Sequence, residues 1–246
     1  MEQLISDNGR VSIEDVSMAK SGHLILNGIT LDLTTSRIGF VGRNGSGKST
    51  LARVVCGLIK PDQGQVLVDE IDVYKDRRRA LSKIGILFQN PDHQIIFPTV
   101  FEEVSFGLIQ QGHNKDTVRH LVADALARFG KADWTNRSVS ALSQGQRHLV
   151  CLMSVLAMQP SVIVLDEPFT GLDRPITRQL TQMLSDIPQT LLHISHDLNS
   201  LRDYDRVIWL ERGTIQLDGT PQTVLPAYCA AMDALGGQDA FADIPG

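Results

Sequence analysis

Three short stretches of this sequence carry residues whose types and spacing suit phosphate chemistry. Residues 37–57 read RIGFVGRNGSGKSTLARVVCG, in which Gly42, Gly47, Lys48 and Ser49 fit the pattern G-x-x-x-x-G-K-[ST]. Glycines at 42, 45 and 47 let a backbone wrap closely around an anion, so that N–H groups along Gly42, Asn44, Gly45, Ser46, Gly47 and Thr50 point at phosphates from a helix N-terminus. Lys48 then reaches the β- and γ-phosphates as a point charge, and the Ser49 hydroxyl is a ligand for Mg²⁺. Further on, the apolar run 162–165 ends in Asp166 and Glu167, two carboxylates where open α/β sheets bind their ligands. Asp166 suits Mg²⁺ held through water, and Glu167 suits orienting and activating a water for in-line attack on a γ-phosphate. Between the two lies Leu142-Ser143-Gln144-Gly145-Gln146 ahead of a helical stretch, which puts the Ser143 hydroxyl and the Gly145 N–H at a positive helix end. Gly/Ser turns, N-cap serines and adjacent acids are each common alone. A phosphate cradle followed by two strand-end acids is a nucleotide-hydrolysis site.

The elements that must position these residues are marked by periodicity. Residues 11–15 and 29–33 alternate apolar and polar, as half-buried strands do, with a turn at 20–22, predicting an antiparallel sheet ahead of the cradle. After the cradle helix come a turn at 61–64, a strand at 65–68 and a buried strand at 84–88, broken by Asn90, Pro91 and Asp92. From 100 to about 159 the pattern is helical, with apolar faces over 117–129 and 146–158. The core resumes with a strand at 162–165, a helix around 177–184, and strands at 190–194, 207–210 and 214–217. Strands alternating with helices predict an α/β fold with a mostly parallel sheet.

Composition narrows the function classes. A chain of 246 residues with 42% hydrophobic residues has enough apolar content for a sizeable core. No apolar run approaches the roughly 20 residues that span a bilayer, and the opening MEQLISDNGR lacks the order of a signal peptide, so any membrane role is expected to run through partners. Cys56, Cys151 and Cys229 are far apart with no C-x-x-C spacing, indicating core packing in a reduced compartment rather than a zinc or disulfide framework. A net charge of −5 argues against binding nucleic acid, and Arg77, Arg78 and Arg79 after Asp76 read as a solvated helix face.

The order of the motifs, cradle, LSQGQ, LDEP and a strand ending in Ile194-Ser195-His196-Asp197, resembles the ATP-binding subunits of ABC transporters over residues 11–225. The resemblance implies the P-loop NTPase form of the α/β class, with a mostly parallel core sheet, an antiparallel N-terminal β-subdomain and an inserted α-helical subdomain at about 95–160. It implies one domain, residues 1–225, and a short tail, 226–246. Gly42 to Thr50 then correspond to the Walker A loop, Leu142 to Gln146 to the signature motif, residues 162–167 to Walker B and Thr170 to Asp173 to the D-loop. Glu167 takes the catalytic glutamate position, His196 the switch histidine that contacts the γ-phosphate, and Gln89 the Q-loop glutamine, which joins Ser49 and Asp166 at Mg²⁺ and water. Two subunits pack head to tail in this family, so ATP lies between one chain's Lys48 and the other chain's Ser143, Gly145 and Gln146. Two departures stand out. Gln144 replaces the first glycine of the common LSGGQ form, which leaves phosphate contact intact but alters packing around the loop. Residues 16–26 contain no aromatic to stack on adenine, leaving Lys20 or His23 and a weaker preference for ATP over GTP.

Residues 88–108, FQNPDHQIIFPTVFEEVSFGL, narrow the resemblance to the ATPases of energy-coupling-factor transporters, which import vitamins and, in related systems, cobalt or nickel ions. The QNPDxQ pattern, with Gln94 as a second glutamine, carries it. In that family this region receives arginine-bearing coupling helices of a transmembrane T-component, with a membrane S-component choosing the substrate; Asp92, Glu102 and Glu103 are the matching acids here. A complete catalytic set and the absence of a C-terminal extension imply a dedicated homodimeric system, peripheral at the cytoplasmic face of the inner membrane. The pattern is most similar to biotin transporter ATPases, with cobalt or nickel uptake as the alternative. Soluble ATPases of chromosome maintenance share the motifs but insert long heptad coiled coils, which residues 49–142 lack.

Overall fold

The computed structural model describes residues 9–236. Strands β1 (Val11–Lys20) and β2 (His23–Leu33) form an antiparallel hairpin turning at Ser21 and Gly22, longer than the alternating stretches predicted. The pattern fails at a bulge. Asp15 sits at φ 48° and the register shifts between Ile13 and Val16, leaving Glu14 and Asp15 both exposed in succession.

Strand β3 (Arg37–Val41) runs through the glycine-rich turn into α1 (Lys48–Val55). Strands β4 (Gln63–Val68) and β5 (Ile71–Asp72) complete a four-stranded antiparallel sheet in the order β2-β1-β4-β5. The short helix α2 (Arg77–Leu81), capped by Asp76, leads to β6 (Ile84–Leu87). Three helices follow before the sheet resumes: α3 (Val100–Gln110), α4 (Lys115–Arg128) and α5 (Gln144–Ala157). Then come β7 (Val162–Asp166), α6 (Arg174–Ser185), β8 (Thr190–Ile194), the hairpin β9 (Arg206–Glu211) and β10 (Thr214–Gly219), and α7 (Pro221–Gly236). The second sheet is ordered β10-β9-β3-β8-β7-β6, parallel from β9 to β6 with β10 antiparallel at one edge.

Burial on both faces explains the unbroken apolar runs of the central strands. In β7, Val162 and Val164 join the core between the two sheets and α1, while Ile163 and Leu165 join the core formed by α3, α4 and α5. Among the described residues no helix is long and apolar enough to cross a membrane.

Helix α7 crosses residue 225, where the sequence reading ends the domain. Pro226 lies inside α7, and a proline in a helix interior costs about 3 kcal/mol. Val224 and Leu225 are buried beside Val207 and Leu201, and Tyr228 meets Trp209 edge-on with ring centres 5.5 Å apart. Each buried aliphatic side chain contributes about 1.5–3 kcal/mol, so the packed face outweighs the proline. Of the tail assigned to residues 226–246, residues 237–246 lie outside the described residues.

Candidate active site

Strands β3, β8 and β7 are neighbours in one parallel sheet, so the residues that follow Val41, Ile194 and Asp166 share one edge. At Gly42, φ is 151° and a Cβ would collide with the Leu210 carbonyl oxygen, so only glycine turns the chain there. Gly47 caps α1, whose first-turn N–H groups have no acceptor within the helix. Lys48 is buried beneath this loop at 6% exposure, and its Nζ donates to the carbonyl oxygens of Gly42 at 2.7 Å and Arg43 at 2.8 Å. Burial lowers the lysine pKa, and Glu167, Glu211 and Asp166 pull it back toward the cation. Asn44 and Gly45 are exposed at the loop's tip, Ser46 is buried, and the N–H of Ser46 donates to Arg43 O at 3.2 Å. Arg43 is anchored in turn, its Nε donating to Glu211 Oε1 at 2.9 Å. A buried cation, a helix N-terminus and a glycine turn together fit a chain of phosphates.

The Ser49 hydroxyl donates to Asp166 Oδ1 at 3.0 Å, which brings two of the residues assigned to Mg²⁺ together. Among the described residues no three His, Cys, Asp or Glu side chains converge as a metal site. A hydroxyl and one carboxylate suit a Mg²⁺ that arrives with phosphates and keeps its waters, as that ion favours. Glu167 follows at φ 53°, in a left-handed conformation that costs a non-glycine residue of order 1–3 kcal/mol. Its Oε2 accepts from the His196 N–H at 3.3 Å, and its Oε1 lies 3.2 Å from His196 Nε2. That Oε1 is buried with no aligned hydrogen-bond donor. Burial raises the Glu167 pKa, opposed by His196 and Lys48. A base must be deprotonated to act, so a raised pKa moves the acid loss of activity upward. The kcat/KM of Mg²⁺ATP hydrolysis, which reports groups of the free enzyme, should therefore fall in acid at a higher pH than an ordinary glutamate of pKa 4.5 allows. A profile that falls only at or below that value would remove Glu167 as the tuned base.

The signature residues sit elsewhere in the chain. Ser143 caps α5 through a capping box, with Gln146 N donating to Ser143 Oγ at 3.3 Å and Ser143 N donating to Gln146 Oε1 at 2.9 Å. Gly145 packs so close to α6 that a Cβ would collide with Ile176 Cδ1. Gln144 Nε2 stands 3.5 Å from where a Cβ on Gly171 would lie, so its packing reaches the loop at residues 170–173. Among the described residues, no hydrogen bond or ion pair joins Ser143, Gly145 or Gln146 to residues 42–50. One chain thus gathers Lys48, Ser49, Asp166, Glu167 and His196, and leaves Ser143, Gly145 and Gln146 apart. The Gln89 side chain is exposed and has no bond to Ser49 or Asp166 among the described residues; its carbonyl meets His148. Thr50 is half-buried on α1, and Lys20 and His23 pair at the exposed hairpin tip.

The acids assigned to partner docking are occupied within the chain. Glu103 is a correction: it is 7% exposed, and its Oε2 accepts from the N–H groups of Ile96 and Phe97, both at 2.9 Å. Glu102 accepts from Thr99 Oγ1 at 2.6 Å at the start of α3, and Asp92 pairs with Arg147 at 3.1 Å. The arginine run is an exposed helix face, as read. Arg77, Arg78 and Arg79 line a cleft of about 1250 Å³ together with Gln94 and the exposed apolar side chains Ile96 and Phe106. The sequence reading missed the Arg43–Glu211 anchor, which no spacing marks, and His148, whose only signal is a polar residue on the apolar face of α5.

The sequence matches the ABC transporter family over residues 26–170. It is 47% identical over 225 residues, 92% of this chain and 96% of the relative, to the biotin transport ATP-binding protein BioM of Rhodobacter capsulatus. It is 35% identical over 228 residues, 89% of this chain and 81% of the relative, to the energy-coupling factor transporter ATP-binding protein EcfA1 of Ligilactobacillus salivarius. Among solved structures, cbiO1 from Clostridium perfringens, part of the ABC transporter complex cbiONQ, matches with a TM-score of 0.76 at 30% identity, over 93% of this chain and 94% of that one. The ATP-binding cassette MJ0796, a post-hydrolysis dimer bound to ADP and Pi, matches with a TM-score of 0.76 at 26% identity, over 86% of this chain and 98% of that one.

Proposed function

The chain belongs to the ABC transporter family of ATP-binding proteins, and on that premise we propose that it is the ATP-hydrolysing subunit of an energy-coupling-factor importer whose cargo is biotin. The observation that carries the catalytic part is the meeting, on one sheet edge, of buried Lys48, the Ser49–Asp166 pair and the Glu167–His196 pair. Lys48 and the N-terminus of α1 hold the β- and γ-phosphates. Glu167 Oε1 orients a water in line with the γ-phosphate and takes its proton as the new bond to phosphorus forms and the bond to the bridging oxygen breaks, so that ADP leaves, while His196 sits beside the same phosphate. Ser49 and Asp166 would hold Mg²⁺, with Gln89 at its water, and the ion would supply charge that neutralises the phosphates. Ser143, Gly145 and Gln146 close the site from a second copy of the chain. Their separation from Lys48 within one chain supports this, as does the dimeric state of MJ0796.

The identity to BioM, a biotin transport ATP-binding protein, over 92% of this chain supports biotin as cargo, with cobalt or nickel uptake as the second reading. Transport requires membrane partners, a T-component and a substrate-binding S-component, which place the chain peripherally at the cytoplasmic face. The test is purification from native membranes in mild detergent, followed by binding of labelled biotin. Recovery of multi-spanning partners that bind biotin supports the whole reading; partners without biotin binding move the cargo to a metal ion or another vitamin. Recovery of no membrane protein overturns the importer in favour of a soluble ATPase.

The cleft beside α2 is the docking place for the T-component, with Arg77 and Arg78 on its wall and Ile96 and Phe106 as apolar contacts. Neither Arg77 nor Arg78 makes an ion pair among the described residues, whereas Arg79 pairs with Asp76 at 3.3 Å. Replacing the apolar contacts Ile96 and Phe106 by alanine should cut recovery of the membrane partners by about tenfold, the scale for truncating apolar anchors of an interface, and leave ATP binding unchanged. Undiminished recovery would remove these contacts from the interface.

A further inference from the structure

His148 lies one turn beyond Ser143 on α5 and is completely buried. Its Nε2 is 3.1 Å from the carbonyl oxygen of Gln89, and its Nδ1 is 3.3 Å from that of Gln144. Both neighbours only accept. A neutral imidazole has one N–H, and the Gln144 carbonyl, four residues back, already serves the helix ladder, so the proton belongs on Nε2 facing Gln89. Burial lowers the ring's pKa, with the two carbonyls opposing, which keeps a single proton on it. A second tie joins the same two segments, since Arg147 pairs with Asp92 at 3.1 Å. Residues 89–92 start one residue past the end of β6 and lead into the cleft-lining residues Gln94 and Ile96. They are thereby bound to the first turn of the helix that carries the signature residues.

We propose that His148 is a positioning residue, holding the backbone of Gln89 against the helix that presents Ser143 and Gly145, so that a displacement of either segment is passed to the other. This rests on the reading of Gln89 and Ser143 as parts of the ATP site. The role differs from plain core packing, because it needs a donor at one place on the ring and not merely its volume. It also differs from phosphate contact, because the ring of His148 is completely buried and faces the Gln89 carbonyl. Turnover should therefore suffer while nucleotide affinity does not.

The test compares His148→Leu, which keeps the bulk and loses the donor, with His148→Gln, whose amide Nε2 can donate at the same place. Three readouts are taken on the full chain: kcat for Mg²⁺ATP, ATP Kd without Mg²⁺, and melting temperature. The leucine variant should lose about tenfold in kcat with Kd within about twofold of the unmodified chain, and the glutamine variant should recover to within about threefold. Unchanged kcat in the leucine variant overturns the proposal, as does equal loss in both variants or a Kd that weakens in step with kcat. If His148→Leu fails to fold, His148→Met takes its place under the same criteria. If both fail to fold while His148→Gln behaves normally, the donor serves folding rather than turnover and the proposal falls. An unmodified chain with no ATP turnover would instead sink the reading of the site, which separates the two failures.

Discussion

Replacing Lys48 by alanine is expected to lower ATP turnover by about 10²–10³-fold or more, the scale for losing one preorganised charge partner of a reacting group. The reason lies in where the lysine is held. At 6% exposure its ammonium is shielded from water, so its attraction for a phosphate oxygen is little screened, and no other lysine lies in residues 42–50 to replace it. Alanine would also strip the carbonyls of Gly42 and Arg43 of their shared donor, loosening the turn that aims the loop's N–H groups. Nucleotide affinity should fall together with kcat, because the same contact serves bound ATP and the transition state. Steady-state hydrolysis and direct nucleotide binding check this pair of effects, and substantial remaining turnover would remove Lys48 from the site.

Glu167→Gln should separate the two effects. Turnover falls about 10²-fold or more, the scale for losing a general base, yet ATP still binds because the cradle is untouched. The amide keeps the shape of the carboxylate and its place beside His196, but it cannot take a proton from water. ATP that binds and is not consumed should hold two chains together, so size-exclusion chromatography with Mg²⁺ATP should show a stable dimer that the unmodified chain forms only transiently. A variant that hydrolyses ATP at the unmodified rate would overturn the base assignment.

Much of this site was legible in the sequence because its chemistry constrains the backbone. The turn at Gly42 tolerates no Cβ, and that requirement is written as glycine. Strand β7 is buried on both faces, so Val162 to Leu165 read as an apolar run that must end where the acids emerge. What stayed hidden depends on partners that the sequence does not mark. Glu103 looks like any helix-start acid, and only the fold brings the N–H groups of Ile96 and Phe97 to it. His148 faces a backbone carbonyl 59 positions away, and Arg43 meets Glu211, 168 positions away at the end of the neighbouring strand β9. Strand β1 outran its alternation because Asp15 bulges, and α7 continued past Pro226 because Val224, Leu225 and Tyr228 had a surface to cover.

The composite ATP site is tested most directly by mixing two defective chains. One carries Lys48→Ala and the other Ser143→Arg, each also carrying Glu167→Gln so that bound ATP is not consumed. If each site takes Lys48 from one chain and Ser143 from the other, both homodimers lack an intact site, whereas a mixed dimer has one. Labelled ATP retained after rapid dilution should then be absent for either chain alone and reach one nucleotide per mixed dimer. A mixture that retains no more ATP than its components would contradict the shared site.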